Sequence, residues 1–158
     1  MDHKSLLHKA LQLAQDSPDP STQNAALLVN DKGVILCWDF NCFPAGIDYN
    51  TDRWTRPTKY IFVEHAERNV IYRAAKLGIK TDGLTLVCPW FSCISCSRAI
   101  IQAGIKECVG LKVESVHNQW AEEVRQGWDL LKEAGVKITL IDAKFGVTLR
   151  RNGQEIEF

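Results

Sequence analysis

The chain has 158 residues, of which 46% are hydrophobic and 24% are charged, as in an ordinary globular protein of one domain spanning 1–158. Nineteen basic and nineteen acidic residues balance, which argues against a long nucleic acid as partner, because proteins that neutralise many phosphates carry a basic excess. Neither a membrane-length apolar run of ~20 residues nor a signal-peptide core is present, so we expect an unprocessed, cytoplasmic protein that does not bind membranes.

The first part of the chain predicts a helix, a β-hairpin and a long loop. Apolar residues recur at helical spacing up to Ala14, and Pro18 and Pro20 end that helix. Turn-forming residues then separate two apolar runs, as in a hairpin. Scattered prolines, glycine and mixed charges follow, and a loop of that length in a compact domain is often functional. The predicted elements are a helix over 6–14, strands over 25–29 and 34–38, and a loop over 39–60.

The second part alternates helices and strands, each helix being followed by a glycine. This alternation predicts an α/β fold in which helices flank a central sheet. At the end, Asn152 and Gly153 between two extended runs predict a hairpin within a C-terminal extension, 147–158. The predicted elements are helices over 64–77, 95–103 and 120–134, and strands over 84–88, within 105–113 and over 136–141.

His65, Cys93 and Cys96 form a plausible zinc-binding set. Thiolates and imidazole suit zinc, and three protein ligands leave the fourth tetrahedral position for water, as in catalytic sites. His65 opens one predicted helix, and the C-x-x-C pair lies at the mouth of the next, where a helix N-terminus favours thiolate over thiol. The other four cysteines are not expected to form disulfides in a reducing cytosol.

Glu67, two residues beyond His65, is placed to serve as a general acid and base. Its carboxylate can reach a zinc-activated water without binding the metal. H-x-E followed by P-C-x-x-C is the signature of zinc deaminases, although here Ser92 stands where that pattern has proline. Two alternatives remain: ordinary core cysteines with a surface histidine, or a closed structural zinc site, which would leave Glu67 without a role.

Further motifs resemble the deoxycytidylate (dCMP) deaminase family of the cytidine deaminase superfamily, from about Asp16 to Val136. They are Asp19-Pro20-Ser21-Thr22-Gln23, then Asn41 with Phe43-Pro44 and Gly46, then Lys59-Tyr60 with Val63, His65-Ala66-Glu67, Asn69 and Ile71, and finally Ala99 to Ile105. The resemblance implies a three-layer α-β-α fold around a five-stranded mixed sheet. It also implies hydrolysis of dCMP to dUMP and ammonia, and a homo-oligomer, either hexamer or dimer.

The resemblance assigns roles to individual residues. It implies that His65, Cys93 and Cys96 bind zinc and that Glu67 is the catalytic acid and base. It also implies that Asn41 hydrogen-bonds the sugar and that the backbone at Ala66 contacts the base edge.

Other residues near these motifs are candidates for binding the nucleotide. Donors to the phosphate are expected among the cations of the long loop and the polar residues before the first strand. One of the two aromatic residues before Cys93 is expected to form a wall of the base pocket. The candidates are Arg53, Arg56, Lys59, Ser21, Thr22, Trp90 and Phe91.

The chain departs from the family pattern at two glycine positions tied to the regulatory nucleotides dCTP and dTTP. Asp39 and Cys42 stand there, and both bring side chains where glycine allows a close approach. We therefore predict weak or absent activation by dCTP. The loop over 47–58 is short for a member with a second zinc site, so we predict one zinc ion per chain.

Three other functions remain open. The first is deamination of another small molecule, such as cytidine, dCTP, cytosine or guanine. The second is a deaminase acting on tRNA or on flipped-out bases, against which the zero net charge argues. The third is an inactive zinc-binding homologue that serves as a partner protein, in which Glu67 would not be needed.

Overall fold

The computed structural model of the chain describes residues 1–112 and 121–158. The end of the predicted strand at Val113 and the predicted helix start at Trp120 lie outside those ranges. The helices are α1 His3–Ala14, α2 Lys59–Phe62, α3 Ala66–Leu77, α4 Ile94–Gln102 and α5 Ala121–Glu133, with a 3-10 turn at Thr51–Trp54. The strands are β1 Ala25–Val29, β2 Ile35–Phe40, β3 Thr85–Val87, β4 Glu107–Leu111, β5 Lys137–Ile141, β6 Thr148–Arg151 and β7 Gln154–Glu157.

The central sheet has five strands in the order β2-β1-β3-β4-β5. β1 runs antiparallel to both of its neighbours, whereas β3, β4 and β5 are parallel, so the sheet is mixed, as predicted. Every residue of β1 and of β4 is buried, because helices cover both faces of the sheet.

Two hydrophobic clusters cover opposite faces of this sheet and produce three layers. On one face, residues such as Leu28 and Leu86 pack with α3, α4 and α5. On the other face, Leu27 and Val87 pack with α1 and with Leu149 of the C-terminal hairpin. Adjacent strand residues point to opposite faces, so neighbouring leucines serve different layers. The predicted α/β three-layer architecture is confirmed.

Several element boundaries differ from the prediction. α3 begins at Ala66 and not at 64, because His65 is extended and Glu64 pairs with Cys42 in an isolated bridge. β2 extends to Phe40, which pairs with Ala25 across the sheet. The predicted loop over 39–60 therefore starts later, and it contains the 3-10 turn and the start of α2.

The predicted C-terminal hairpin is present as β6 and β7. Asn152 and Gly153 form its two-residue turn with φ of 53° and 78°, the positive values that such a turn requires. The hairpin docks on the body of the protein, since Gln23 N–H donates to the Arg150 carbonyl at 2.9 Å. Elsewhere, no helix within the described ranges is long and apolar enough to cross a membrane.

Candidate active site

The three candidate zinc ligands lie at the N-termini of two packed helices. His65 is the N-cap residue of α3, and Cys93 is the N-cap residue of α4. Cys96 lies in the first turn of α4, where its N–H donates to the Cys93 sulfur at 3.5 Å. The two helices pack against each other, so motifs far apart in sequence converge at one point.

The spacing of the ligand atoms fits a tetrahedral zinc ion. The His65 Nδ1 atom lies 3.6 Å from the Cys93 sulfur and 3.5 Å from the Cys96 sulfur. Ordinary zinc–sulfur and zinc–nitrogen bonds at the tetrahedral angle predict a nitrogen–sulfur separation of about 3.6 Å. Among residues 1–112 and 121–158, these side chains are the group of His, Cys and carboxylate residues clustered closely enough to hold a metal.

The charge state of the cysteine pair also suits a cation. A hydrogen bond from Cys96, with further support from His65, lowers the pKa of Cys93 to about 3. The same hydrogen bond, together with burial, raises the pKa of the Cys96 thiol. The pair therefore holds one negative charge beside an imidazole, and a bound metal ion would displace the remaining proton.

Glu67 lies in the first turn of α3 and lines the cavity beside the ligands. Its side chain is buried, with 3% of its surface exposed. Burial raises the pKa of the Glu67 carboxyl, because the charged form loses hydration. A carboxyl with a raised pKa can both accept and donate a proton near neutral pH, as a general acid and base must.

Arg68 contacts the same cluster from the side of α3. Its guanidinium lies 3.3 Å from the Cys96 sulfur and 3.8 Å from the Cys93 sulfur. It also forms an ion pair with Glu64, whose carboxylate accepts the His65 N–H at 2.9 Å. Arg68 therefore offsets part of the thiolate charge. The sequence motifs gave no signal for this contact.

A cavity of about 210 Å³ opens beside the ligands. One wall is aromatic and aliphatic, and polar groups line the rest. Trp128 of α5 donates its indole N–H to the Phe91 carbonyl at 2.8 Å, and the two rings lie 5.7 Å apart. The predicted wall residues Trp90 and Phe91 both line this cavity, as does Ala66.

The segment before Cys93 is held in place without the proline of the signature. The Ser92 hydroxyl is buried and lies 2.9 Å from the Ser97 hydroxyl. Gly127 of α5 packs against the same place, since a Cβ atom there would lie 2.5 Å from the Ser92 carbonyl oxygen. α5 and the Cys93 segment can therefore approach so closely only because residue 127 is glycine.

Asn41 lies in the cavity wall, but its side chain is fully hydrogen-bonded within the protein. Its carbonyl oxygen accepts from the Ser17 hydroxyl and the Asn24 N–H, both at 2.8 Å. Its amide donates to the Asp19 carboxylate at 3.0 Å and to the Thr22 carbonyl at 2.8 Å. The sugar contact stays a prediction, and the observed contacts make Asn41 a brace for residues 17–24.

Lys59 forms a buried ion pair with Asp19, at 2.8 Å and 3.0 Å to the two carboxylate oxygens. The side chains are only 5% and 2% exposed, so this pair is part of the wall and not a mobile surface contact. Lys59 lines the cavity, but its charge is already offset. The Asp19 carboxylate also accepts the N–H groups of Ser21 and Thr22, which fixes that turn.

The remaining phosphate candidates do not all face the cavity. Arg56 and Thr22 line it, and the Arg56 guanidinium donates to the Ser21 hydroxyl at 3.0 Å. Arg53 does not line it. The Arg53 guanidinium lies 4.5 Å from the centre of the Phe62 ring and donates to the Asp48 carbonyl. Ser21 does not line the cavity either, and its side chain is linked to the site through Arg56.

Other cavity residues were missed from the sequence. Trp128 packs against the core cluster and also lines the cavity. Arg151 and Asn152 come from the C-terminal hairpin, which carries no motif. Asp19 and Asn24 line the cavity as parts of the Asn41 network. The proximity of Asp19 to the Ser21-Thr22 motif was the one sequence signal that could have pointed to it.

Asp39 and Cys42, at the two glycine positions, both have partners. Asp39 lies 3.8 Å from Arg73, and Cys42 accepts from the Asn69 amide at 3.4 Å. Asn69 also donates to the Phe40 carbonyl, so it braces the loop that begins there. The loop that follows is packed by stacked aromatic rings, with Phe43 and Trp54 4.1 Å apart.

The chain is similar to known deaminases in sequence and structure. Residues 1–112 match the family model for the cytidine and deoxycytidylate deaminase zinc-binding region. An uncharacterized deaminase from the luxG 3′ region of Aliivibrio fischeri is 32% identical over 78% of this chain and 82% of its own length. Mus musculus deoxycytidylate deaminase is 34% identical over 84% of this chain and 75% of its own length.

A solved structure is similar over most of the chain. It is the dCMP deaminase of cyanophage S-TIM5 in complex with dCMP and dUMP, with a TM-score of 0.68 and 26% sequence identity. The match covers 87% of this chain and 95% of the phage protein.

Proposed function

Because this chain belongs to the cytidine and deoxycytidylate deaminase family, we propose that it hydrolyses dCMP to dUMP and ammonia. The observation that carries this proposal is the buried Glu67 beside a three-ligand metal cluster at the floor of a cavity. The similar mouse protein is a deoxycytidylate deaminase and the similar phage protein is a dCMP deaminase, and both support dCMP as the substrate.

His65, Cys93 and Cys96 would hold one zinc ion per chain. When bound, zinc acts as a Lewis acid that activates water at neutral pH. The chain supplies the positions of these ligands, because each lies at the N-terminal end of a helix.

Glu67 carries the protons of the reaction. Its carboxylate accepts a proton from the attacking water and gives it to N3 of cytosine as the C4–O bond forms. It then takes the second proton of that oxygen and passes it to the amino group, so that ammonia leaves as the C4–N bond breaks. Water and dCMP are consumed, and dUMP and ammonia are formed in balance.

The cavity walls position the base against Glu67. Trp128 and Phe91 provide apolar surface for the pyrimidine ring, with Trp90 beside them. The backbone at Ala66 is proposed to contact the base edge, and Asn41 to position the sugar through the turn that it braces. Thr22 and Arg56 are proposed as donors to the phosphate, while Lys59 acts through Asp19.

Arg53 and Ser21 are retained only as indirect contributors at the phosphate end. Arg53 packs on Phe62 within the loop that carries Arg56, and Ser21 accepts a hydrogen bond from Arg56.

We also propose a cytoplasmic homo-oligomer, hexamer or dimer, without a membrane partner. The free cysteines suit a reducing compartment.

An ammonia-release assay tests the proposal with dCMP, CMP, dCTP, deoxycytidine, cytosine, guanine and a tRNA. The expected result is a clear preference for dCMP in kcat/KM. Preference for another compound would reject dCMP as substrate while keeping the deaminase chemistry. If the zinc-loaded protein releases ammonia from none of these compounds, the result would favour an inactive zinc-binding homologue.

A further inference from the structure

The C-terminal hairpin brings an arginine to the cavity from outside the residues that match the family model. That match ends at residue 112, whereas Arg151 is the last residue of β6. Asn152, in the adjoining turn, also lines the cavity. This hairpin is therefore a part of the site that lies beyond the matched zinc-binding region.

The register of the hairpin determines which arginine faces the cavity. In a strand, alternate side chains point to the same face, so Arg151 shares a face with Leu149. Leu149 is buried in the cluster with α1 and β1, which fixes that face inward. Arg150 points to the other face and does not line the cavity.

Hydrogen bonds tie the hairpin to the turn at Ser21 and Thr22. The Asn152 N–H donates to the Thr22 hydroxyl at 3.1 Å, and the Gly153 N–H donates to the Ser21 carbonyl at 2.8 Å. Arg56 donates to the Ser21 hydroxyl. The same turn therefore joins the loop that carries Arg56 and the hairpin that carries Arg151.

Arg151 is held against an aromatic ring, and within the described ranges no carboxylate pairs with it. Its guanidinium carbon lies 5.2 Å from the centre of the Trp90 ring. Among residues 1–112 and 121–158, no carboxylate lies within ion-pair distance of Arg151 or of Arg56. Contact with a ring face leaves the in-plane N–H groups of a guanidinium available to an anion. Partial burial lowers the pKa of Arg151, as expected where the charge has lost hydration.

We propose that Arg151 binds the phosphate of the nucleotide and so makes the C-terminal hairpin a determinant of nucleotide over nucleoside specificity. This inference rests on the proposed function, because it assigns a residue to the substrate of that same site. The Trp90 ring holds the guanidinium in place, and Arg56 contacts the Ser21-Thr22 turn to which the hairpin is hydrogen-bonded. Two guanidiniums without carboxylate partners suit a phosphate monoester, which carries up to two negative charges.

Calorimetric binding of dUMP and of deoxyuridine tests this assignment without turnover. The variants are Arg151→Gln, Arg151→Lys and the matched control Arg150→Gln, which removes the same charge from the opposite face of β6. The wild-type protein is expected to bind dUMP at least about tenfold more tightly than deoxyuridine. Arg151→Gln should remove most of that difference, Arg151→Lys should keep part of it, and Arg150→Gln should keep all of it.

The two ligands separate phosphate binding from damage to the fold. A structural role for Arg151 would weaken dUMP and deoxyuridine equally, and that result would overturn the inference. Unchanged dUMP affinity in Arg151→Gln would also overturn it, as would an equal loss in Arg150→Gln.

The proposed function is judged separately, from dCMP turnover by the wild-type protein. If dCMP is hydrolysed and Arg151→Gln binds dUMP normally, only the phosphate assignment fails. If dUMP binding depends on Arg151 but dCMP is not hydrolysed, only the proposed reaction fails.

Discussion

The two ends of the cavity are built in different ways. The proposed metal end consists of residues at two helix N-termini, His65 on α3 and Cys93 and Cys96 on α4. The proposed phosphate end consists of a turn, a loop and a hairpin, which hydrogen bonds and the buried pair of Asp19 and Lys59 hold together.

This difference separates the residues that carry out the reaction from the residues that select the substrate. Ligands on rigid helices keep their spacing whatever substrate is present, as a metal centre requires. Loops and hairpins vary more easily, so the groups that recognise the substrate can change without disturbing the metal.

The largest effect is expected from loss of a zinc ligand. Cys96→Ser should lower the bound zinc and the thermal midpoint and remove activity, because Cys96 is completely buried within the ligand cluster. Cys42→Ser is the control, since Cys42 lies outside that cluster. Metal analysis and thermal unfolding measure the result, and full zinc content in Cys96→Ser would contradict the assignment.

Glu67→Gln should leave zinc bound and stop the chemistry. The amide fills the same space but cannot carry a proton, so kcat should fall by about a hundredfold to ten-thousandfold. Metal content and the thermal midpoint should remain close to wild type. Survival of activity in this variant would show that the proton route described for Glu67 is wrong.

The metal end was predictable from the sequence because its motifs are local. H-x-E places Glu67 beside His65 on one helix, and C-x-x-C places both sulfurs on one turn. Only the packing of α3 against α4, which brings the two motifs together, could not be predicted from the sequence. The predicted helix start at 64 was wrong by two residues, because the pairing of Glu64 with Cys42 keeps His65 extended.

The contacts at the phosphate end could not be predicted from local sequence motifs. Its contacts join residues far apart in the chain, such as Thr22 with Asn152, and no sequence spacing encodes them. Arg53 and Arg56 look alike in the sequence, but packing on Phe62 turns Arg53 away from the cavity. Asn41 was expected to face the sugar, yet its four hydrogen bonds are made within the protein.

Lys59→Met should destabilise the protein by about 3–5 kcal/mol, because it leaves the Asp19 carboxylate buried without a counter-charge. Lys80→Met is the control, since Lys80 and Asp82 form an exposed pair and should contribute little. Urea unfolding measures both. Equal stability of the two variants would show that the buried pair does not hold the phosphate end together.

Trp128→Phe should raise KM about twofold to tenfold, since it removes the hydrogen bond to the Phe91 carbonyl but keeps an aromatic wall. Trp38→Phe is the matched control, because Trp38 does not line the cavity. Steady-state kinetics with dCMP distinguish the two. A larger effect from Trp38 would mean that the wall has been assigned wrongly.

The smallest effect is expected from dCTP. Asp39 and Cys42 occupy the glycine positions, and both side chains are engaged with Arg73 and Asn69. Initial rates against dCMP concentration should therefore keep their shape when dCTP is added. Conversion of a sigmoidal curve into a hyperbolic one would contradict this expectation.

The contact at Gly127 sets how closely α5 approaches the Cys93 segment at the binding site. A Cβ atom at this position would lie 2.5 Å from the Ser92 carbonyl oxygen and 2.7 Å from the Ser97 hydroxyl. Rotating side chains cannot relieve a contact with backbone, so a larger residue would have to move the whole helix. The cavity wall that Trp128 forms would move with it. Residue 127 therefore sets the spacing between that wall and the Cys93 segment without itself lining the cavity.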